Sequence, residues 1–220
     1  MNGPVTRRVG GQQIIQRPEV WSQGPQAPWP VDASPSMDRL LAGVAGEEAP
    51  IIAPFPDARE SAVLVVLTDG PDGPEVLLTR RSWEMRTHRG EVSFPGGGVD
   101  AGETMSEAAL REAHEEVGLD PSVVTLHGEL AHIHTWVSRS YIVPTVATVP
   151  ERFELSAQTM EVDRVLWVPL REFTRADTYR SERWGDRPSD FVLHFFELDN
   201  ETVWGATARI LVDLLTRAIR

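Results

Sequence analysis

Residues 104–117 read as a helix whose last turn is electrostatically unfavourable unless a cation sits beside it. Thr104 followed three residues later by Glu107 is a capping box, and Gly118 stands where a helix commonly ends on a left-handed residue. At 100° per residue Ala109, Leu110, Ala113 and Val117 share one side; Glu112, Glu115 and Glu116 share another, at i, i+3 and i+4. A solvated face is the ordinary explanation of a charged stripe, but two costs oppose it here. Like charges at i,i+4 destabilise a helix by about 0.2–0.5 kcal/mol per pair. Glu115 and Glu116 also face the negative end of the macrodipole, which costs each anion about 0.3–1 kcal/mol. A hard divalent cation bound by the three carboxylates reverses both signs. Mg²⁺ suits such a site because it keeps several waters and completes its coordination with substrate phosphates.

The chain around this helix alternates strands and turns. Residues 62–67 are a continuous apolar, largely β-branched run, read as a buried strand; residues 69–74 are a Gly/Pro/Asp turn cluster and 75–79 a second strand, giving a hairpin. Residues 91–94 form a short extended piece ending at Pro95-Gly96-Gly97-Gly98, and 123–127, 140–149 and 162–168 are further strands. Residues 191–197 follow a polar loop. In the tail, Ala206, Ile210, Leu211, Leu214 and Leu215 recur at helical spacing over 204–220. Residues 37–45 suit a short helix. Strands outnumber helices, and the helices can cover both faces of a mixed sheet, so the fold class is α/β. Residues 1–36 read as an irregular arm, pinned by Trp21 and Trp29, on a domain spanning 37–220.

Charge and composition narrow the partners. The net charge of −12, from 33 acids against 21 bases, argues against nucleic acid. Every basic residue is Arg, so cationic phosphate contacts would be made by guanidinium forks. There is no Cys for a disulfide or a thiolate zinc site. Residues 1–16 lack the apolar stretch of a signal peptide, and the longest apolar runs are too short to span a bilayer, so a soluble, cytoplasmic protein with no membrane partner is expected. Against the overall acidity, residues 80–89 hold four Arg and His88 with Glu84 as the sole acid. This stretch reads either as a phosphate-binding rim or as Arg partners for surface acids.

Gly97, Glu103, Arg111-Glu112, Ala113, Glu115-Glu116, Gly118 and Leu119 resemble, without a gap, the box of the Nudix hydrolases. The resemblance implies the Nudix fold, a mixed β-sheet sandwiched between α-helices, and catalysis with Mg²⁺ or Mn²⁺. By position it implies Glu112 and Glu116 as principal metal ligands, Glu115 as a further or water-bridged ligand, and the Gly96 carbonyl as another. Glu103 and Arg111 would brace the loop at Gly97 against the helix. The general base would be a box glutamate or an acid from a later loop, for which Glu161 is the candidate. Upstream, Leu77-Leu78-Thr79, Arg81-Ser82, Arg86, Gly90 and Phe94-Pro95-Gly96-Gly97 resemble the signature of the coenzyme A pyrophosphatase branch, as does Trp204-Gly205-Ala206-Thr207-Ala208. That likeness implies hydrolysis of coenzyme A or acyl-CoA to 3′,5′-ADP and (acyl-)4′-phosphopantetheine, with Arg81 and Arg86 binding substrate. The alternatives are ADP-ribose, NADH or dinucleoside polyphosphates as substrates, and a non-catalytic nucleotide-binding regulator. Apolar surface on the C-terminal helix or the arm would suit a homodimer.

His132 and His134, with Trp136, alternate as on one strand face. A two-His zinc site lacks an evident third ligand. Ordinary packing or the lining of a nucleobase or pantetheine pocket remain as readings.

Overall fold

A computed structural model of the chain describes residues 8–44, 57–136, 138–186 and 190–220. In chain order the elements are β1 (Trp21–Gln23), α1 (Met37–Gly43), β2 (Arg59–Gly70), β3 (Gly73–Arg81), β4 (Val92–Ser93), β5 (Gly96–Gly98) and α2 (Met105–Val117). They continue with β6 (Thr125–Glu129), β7 (Ile133–His134), β8 (Ser140–Thr148), β9 (Val162–Pro169), β10 (Tyr179–Trp184), β11 (Phe191–Leu198), β12 (Glu201–Trp204) and α3 (Gly205–Ile219). No helix among the described residues is long and apolar enough to cross a membrane.

The larger sheet runs β4-β3-β2-β8-β6, with β9 on β3, β5 on β2 and β7 on β8. It is mixed because β2 and β8 are parallel, from Arg59↔Ser140 to Leu67↔Thr148, while its other pairs are antiparallel. A parallel pair needs a long crossover, and α2 lies within it. Along β2 the side chains alternate between two buried clusters. Ala62, Leu64 and Val66 meet Ala108, Ala109, Ala113 and Val117 of α2. Val65 and Leu67 meet Ile210, Leu211, Leu214 and Leu215 of α3, with Leu40 of α1. Period-two alternation in the strand and period-3.6 stripes on the helices thus place α2 on one face and α1 with α3 on the other.

A second, four-stranded antiparallel sheet runs β1-β10-β11-β12. It corrects the sequence reading twice. Residues 179–184, Tyr-Arg-Ser-Glu-Arg-Trp, lack an apolar face and read as polar loop, yet form β10. Its polar groups are satisfied within the fold: Arg17 Nε donates to Glu182 Oε2 at 2.9 Å, Trp184 Nε1 donates to the same atom at 2.8 Å, and Arg180 bonds Glu182 and Glu197. The arm is also less irregular than its Gly and Pro content suggests, because Trp21–Gln23 pairs with β10. Trp29 is buried, stacked on Phe196 at 6.3 Å, whereas Trp21 is 44% exposed beneath the Arg17 guanidinium.

Candidate active site

Helix α2 forms from local instructions. Thr104 Oγ1 accepts from Glu107 N, Glu107 Oε2 accepts from Thr104 N, and Gly118 ends the helix at φ 74°. Its buried alanines fix its rotation, leaving Glu112 and Glu116 beside β5 and Glu115 half-exposed against Arg111. Arg111 ties helix to loop. Its Nε and Nη2 donate to the two carboxylate oxygens of Glu103 at 2.9 and 3.1 Å, and Nη2 also donates to the Gly98 carbonyl at 3.0 Å. The Arg111 bond holds the Glu103 carboxyl below the usual carboxylate range, helped by the Asp100 N–H. Arg111 Nη1 reaches Glu112 Oε1 at 2.9 Å and Glu115 Oε2 at 3.2 Å.

The glycines of β5 let the carboxylates come close. A Cβ on Gly97 would stand 2.4 Å from Glu112 Oε1, and one on Gly96 would stand 2.3 Å from the Ala62 carbonyl oxygen. The Gly96 N–H donates to Glu116 Oε2 at 3.3 Å. Burial pushes the Glu116 carboxyl up to about 7, against an ordinary value near 4.5. The Gly96 bond and Arg81 oppose that rise, and the charges of Glu112 and Glu161 add to it.

Arg81 and Glu161 meet at the end of the β3–β9 ladder. Arg81 pairs with Val162, Ser82 N–H donates to the Glu161 carbonyl at 2.7 Å, and Arg81 Nη1 lies 3.1 Å from Glu161 Oε2. Arg81 Nε is buried and has no hydrogen-bond partner among the described residues. Glu161 is half-exposed. The fold therefore gathers Gly96, Gly97, Glu112, Glu116, Arg81 and Glu161 at one place, with Glu115 exposed at its edge. Arg86 lies on the exposed loop after β3 and makes no ion pair with the described residues. Arg80 is turned away, bound to Asp163 at 2.9 Å and Glu201 at 2.8 Å, as expected of a partner for acids.

Whether a cation fits is decided by this donor set. Among the described residues no three His, Asp or Glu side chains stand close enough together to hold a metal ion as they lie; Glu112 and Glu115 are turned to Arg111 and Glu116 to Gly96. The donors are nonetheless all oxygen, and Glu116 is destabilised as an anion first by its burial and then by the charges of Glu112 and Glu161. An open, oxygen-only, mutually repelling set fits a hard divalent ion that shares its coordination with water and phosphate.

A family model described as the NUDIX domain matches residues 58–195. The chain belongs to the Nudix family. It is 35% identical over 168 residues to Nudix hydrolase 22, chloroplastic, of Arabidopsis thaliana, covering 72% of this chain and 55% of that protein. It is 37% identical over 157 residues to the uncharacterized Nudix hydrolase NudL of Enterobacter sp. (strain 638), covering 71% of this chain and 81% of NudL. A solved Ap4A hydrolase of C. elegans superposes with TM-score 0.44 at 22% identity, over 50% of this chain and 80% of that one. The chain thus spans about half of the Arabidopsis relative. The α/β architecture, a mixed sheet between helices, is the Nudix fold.

Of the histidines singled out in the sequence, His132 is buried with both ring nitrogens bonded. His132 Nδ1 bonds the Tyr141 hydroxyl at 2.6 Å and Nε2 bonds Glu129 Oε2 at 2.8 Å. The ladder includes Ile133 and His134 but not His132 or Trp136, so the expected strand-face alternation is absent. His134 and Trp136 meet edge to face at 5.7 Å.

Glu116 predicts a pH dependence for the metal-free protein. Its folded pKa exceeds its ordinary value, so the folded state binds more protons between the two. The associated stability is full below about 4.5 and lost as pH rises through about 7. In chelator, thermal midpoints should fall from about pH 5 to about pH 8 more steeply for the parent than for Glu116→Gln. Parallel slopes would show that Glu116 is not the group responsible.

Proposed function

We propose that this Nudix protein is a metal-dependent pyrophosphohydrolase acting on coenzyme A or its thioesters, releasing 3′,5′-ADP and the corresponding 4′-phosphopantetheine. The observation that carries the reading is the meeting of two motifs at one loop. Glu116, from the box, takes the Gly96 N–H, while Arg81, from the upstream signature, bears on Glu116 and pairs with Glu161. The hydrolase names of the Arabidopsis and Enterobacter relatives support the reaction class.

In this reading Glu112 and Glu116 hold Mg²⁺ or Mn²⁺, with Glu115 and the Gly96 carbonyl completing the protein's share. When bound, such an ion sets positive charge against the phosphoryl oxygens and acidifies water. Arg81 orients the pyrophosphate through its guanidinium fork, and Arg86 reaches the 3′-phosphate side. Glu161, 3.1 Å from Arg81, accepts the proton of the attacking water. Water oxygen bonds to one phosphorus as the bridging P–O bond breaks, and the bridging oxygen leaves with the other phosphate. Glu103, Arg111 and Gly97 keep the loop in place and touch no reacting atom. Residues 1–36 are then an arm on a domain of 37–220, and the enzyme is cytoplasmic.

A substrate panel with Mg²⁺ or Mn²⁺, its products resolved by mass, tests the assignment. Coenzyme A should yield 3′,5′-ADP and 4′-phosphopantetheine. Rapid turnover of ADP-ribose, NADH or a dinucleoside polyphosphate with none of coenzyme A would refute the substrate and keep the reaction class.

A further inference from the structure

The N-terminal arm, which lies outside the matched residues 58–195, touches the second sheet and the substrate-side loop together. Gly10 and Gly11 press on the β11–β12 hairpin. A Cβ on Gly10 would stand 1.8 Å from Glu197 Oε2, and one on Gly11 2.9 Å from Thr202 N. The Gly11 N–H donates to Thr202 Oγ1 at 2.8 Å, and that hydroxyl donates to Glu197 Oε2 at 2.7 Å. Farther along, Arg17 grips Glu182 and β1 pairs with β10.

This seating delivers Gln13 to the loop that follows β3. Its Nε2 donates to the Gly90 carbonyl and, at 3.4 Å, to the Thr202 carbonyl. Two acceptor partners fix which end of the amide is nitrogen. Gly90 N–H in turn donates to the Arg81 carbonyl at 3.1 Å, and Arg81 N–H donates to the Glu91 carbonyl at 2.8 Å. Gly90 and Glu91 therefore close the loop back onto Arg81. Between them residues 83–89 are mostly exposed, so few buried contacts hold the loop. The Trp83 ring against Gly90, where a Cβ would come within 2.3 Å, is one of them.

We propose that Gln13 is a positioning residue, clamping the loop between Arg81 and Glu91 and so setting the aim of Arg81 and Arg86 toward the substrate's phosphates. The inference rests on the two arginines being phosphate contacts. Gln13 itself touches no reacting atom.

The full-length variants Gln13→Ala and Gln13→Glu, beside the exposed-neighbour control Gln12→Ala, are compared by hydrogen exchange of peptides covering residues 82–91 and by kinetics on coenzyme A. Both Gln13 variants should exchange faster in this loop and raise KM about three- to tenfold at unchanged kcat, the scale of one lost hydrogen bond. Gln13→Glu should be the stronger, because its carboxylate faces two carbonyl oxygens. Gln12→Ala should match the parent. Unchanged loop exchange overturns the proposal, as does faster exchange with unaltered KM. A joint fall of kcat and thermal midpoint at fixed KM also overturns it, since a general structural role would produce that. A parent inactive on coenzyme A would refute the substrate assignment, while the exchange result still judges the clamp.

Discussion

Glu116→Gln is expected to lower kcat by about 10²–10⁴-fold at saturating Mg²⁺, the range for losing a carboxylate that acts on a proton or holds the charge that drives its transfer. The substitution keeps the shape of the side chain and removes its charge. Gln at 116 can still accept the Gly96 N–H, so the β5 loop should stay closed. Relief of the burial penalty on the charge, and of repulsion from Glu112 and Glu161, should leave the metal-free variant at least as stable as the parent at neutral pH. Inactivity with retained stability separates a chemical role from a folding role. Parent-like turnover with metal present would mean that the acidic turn does not carry the reaction, and a non-catalytic nucleotide-binding module would then be the better reading.

Gly97→Ala should act on the same site through space. Its Cβ would lie 2.4 Å from Glu112 Oε1 and 2.5 Å from Cδ, so the carboxylate must swing away from the loop. Because the obstructed atoms are the end of a side chain, the fold should survive with little change in thermal midpoint. The metal concentration for half-maximal activity should rise about 10–100-fold, the scale for misplacing a ligand through its support. A metal titration beside a melting curve measures both. An unchanged titration would remove Glu112 from the ligand set. The contrast with Gly96 is instructive, since a Cβ there would strike the Ala62 carbonyl and the Val63 backbone. Neighbouring glycines thus protect different things: Gly97 the site, Gly96 the sheet.

The elements legible in the sequence are those whose instructions are local or periodic. The capping box at Thr104 and the glycine at 118 appear as read, and so does the apolar stripe of α2 save that Ala108 is fully buried and Leu110 only partly. The β2–β3 hairpin follows from its turn cluster, and α3 from its apolar spacing. The elements that were not legible depend on distant partners. β10 is a polar strand, and its Glu182 is tolerable in burial because Arg17 arrives from 165 residues away. Three glycines of β5 offer no side-chain pattern, and they become a strand because β2 supplies the ladder. Arg80 and Arg81 look alike in sequence, but successive residues of a strand point to opposite faces. One meets Asp163 and Glu201, and the other meets Glu161.

By itself, the sequence determined the acidic helix and the crowding of like charge in its last turn, because both follow from spacing and from the helix dipole within fourteen residues. The tertiary structure alone decided which groups surround Glu116. The β3–β9 register brings Glu161 beside Arg81 across 80 residues of chain, β5 presents Gly96 to Glu116, and the arm carries Gln13 to Gly90. Such meetings depend on strand pairing and on burial against distant partners, and neither is encoded in the spacing of any one segment.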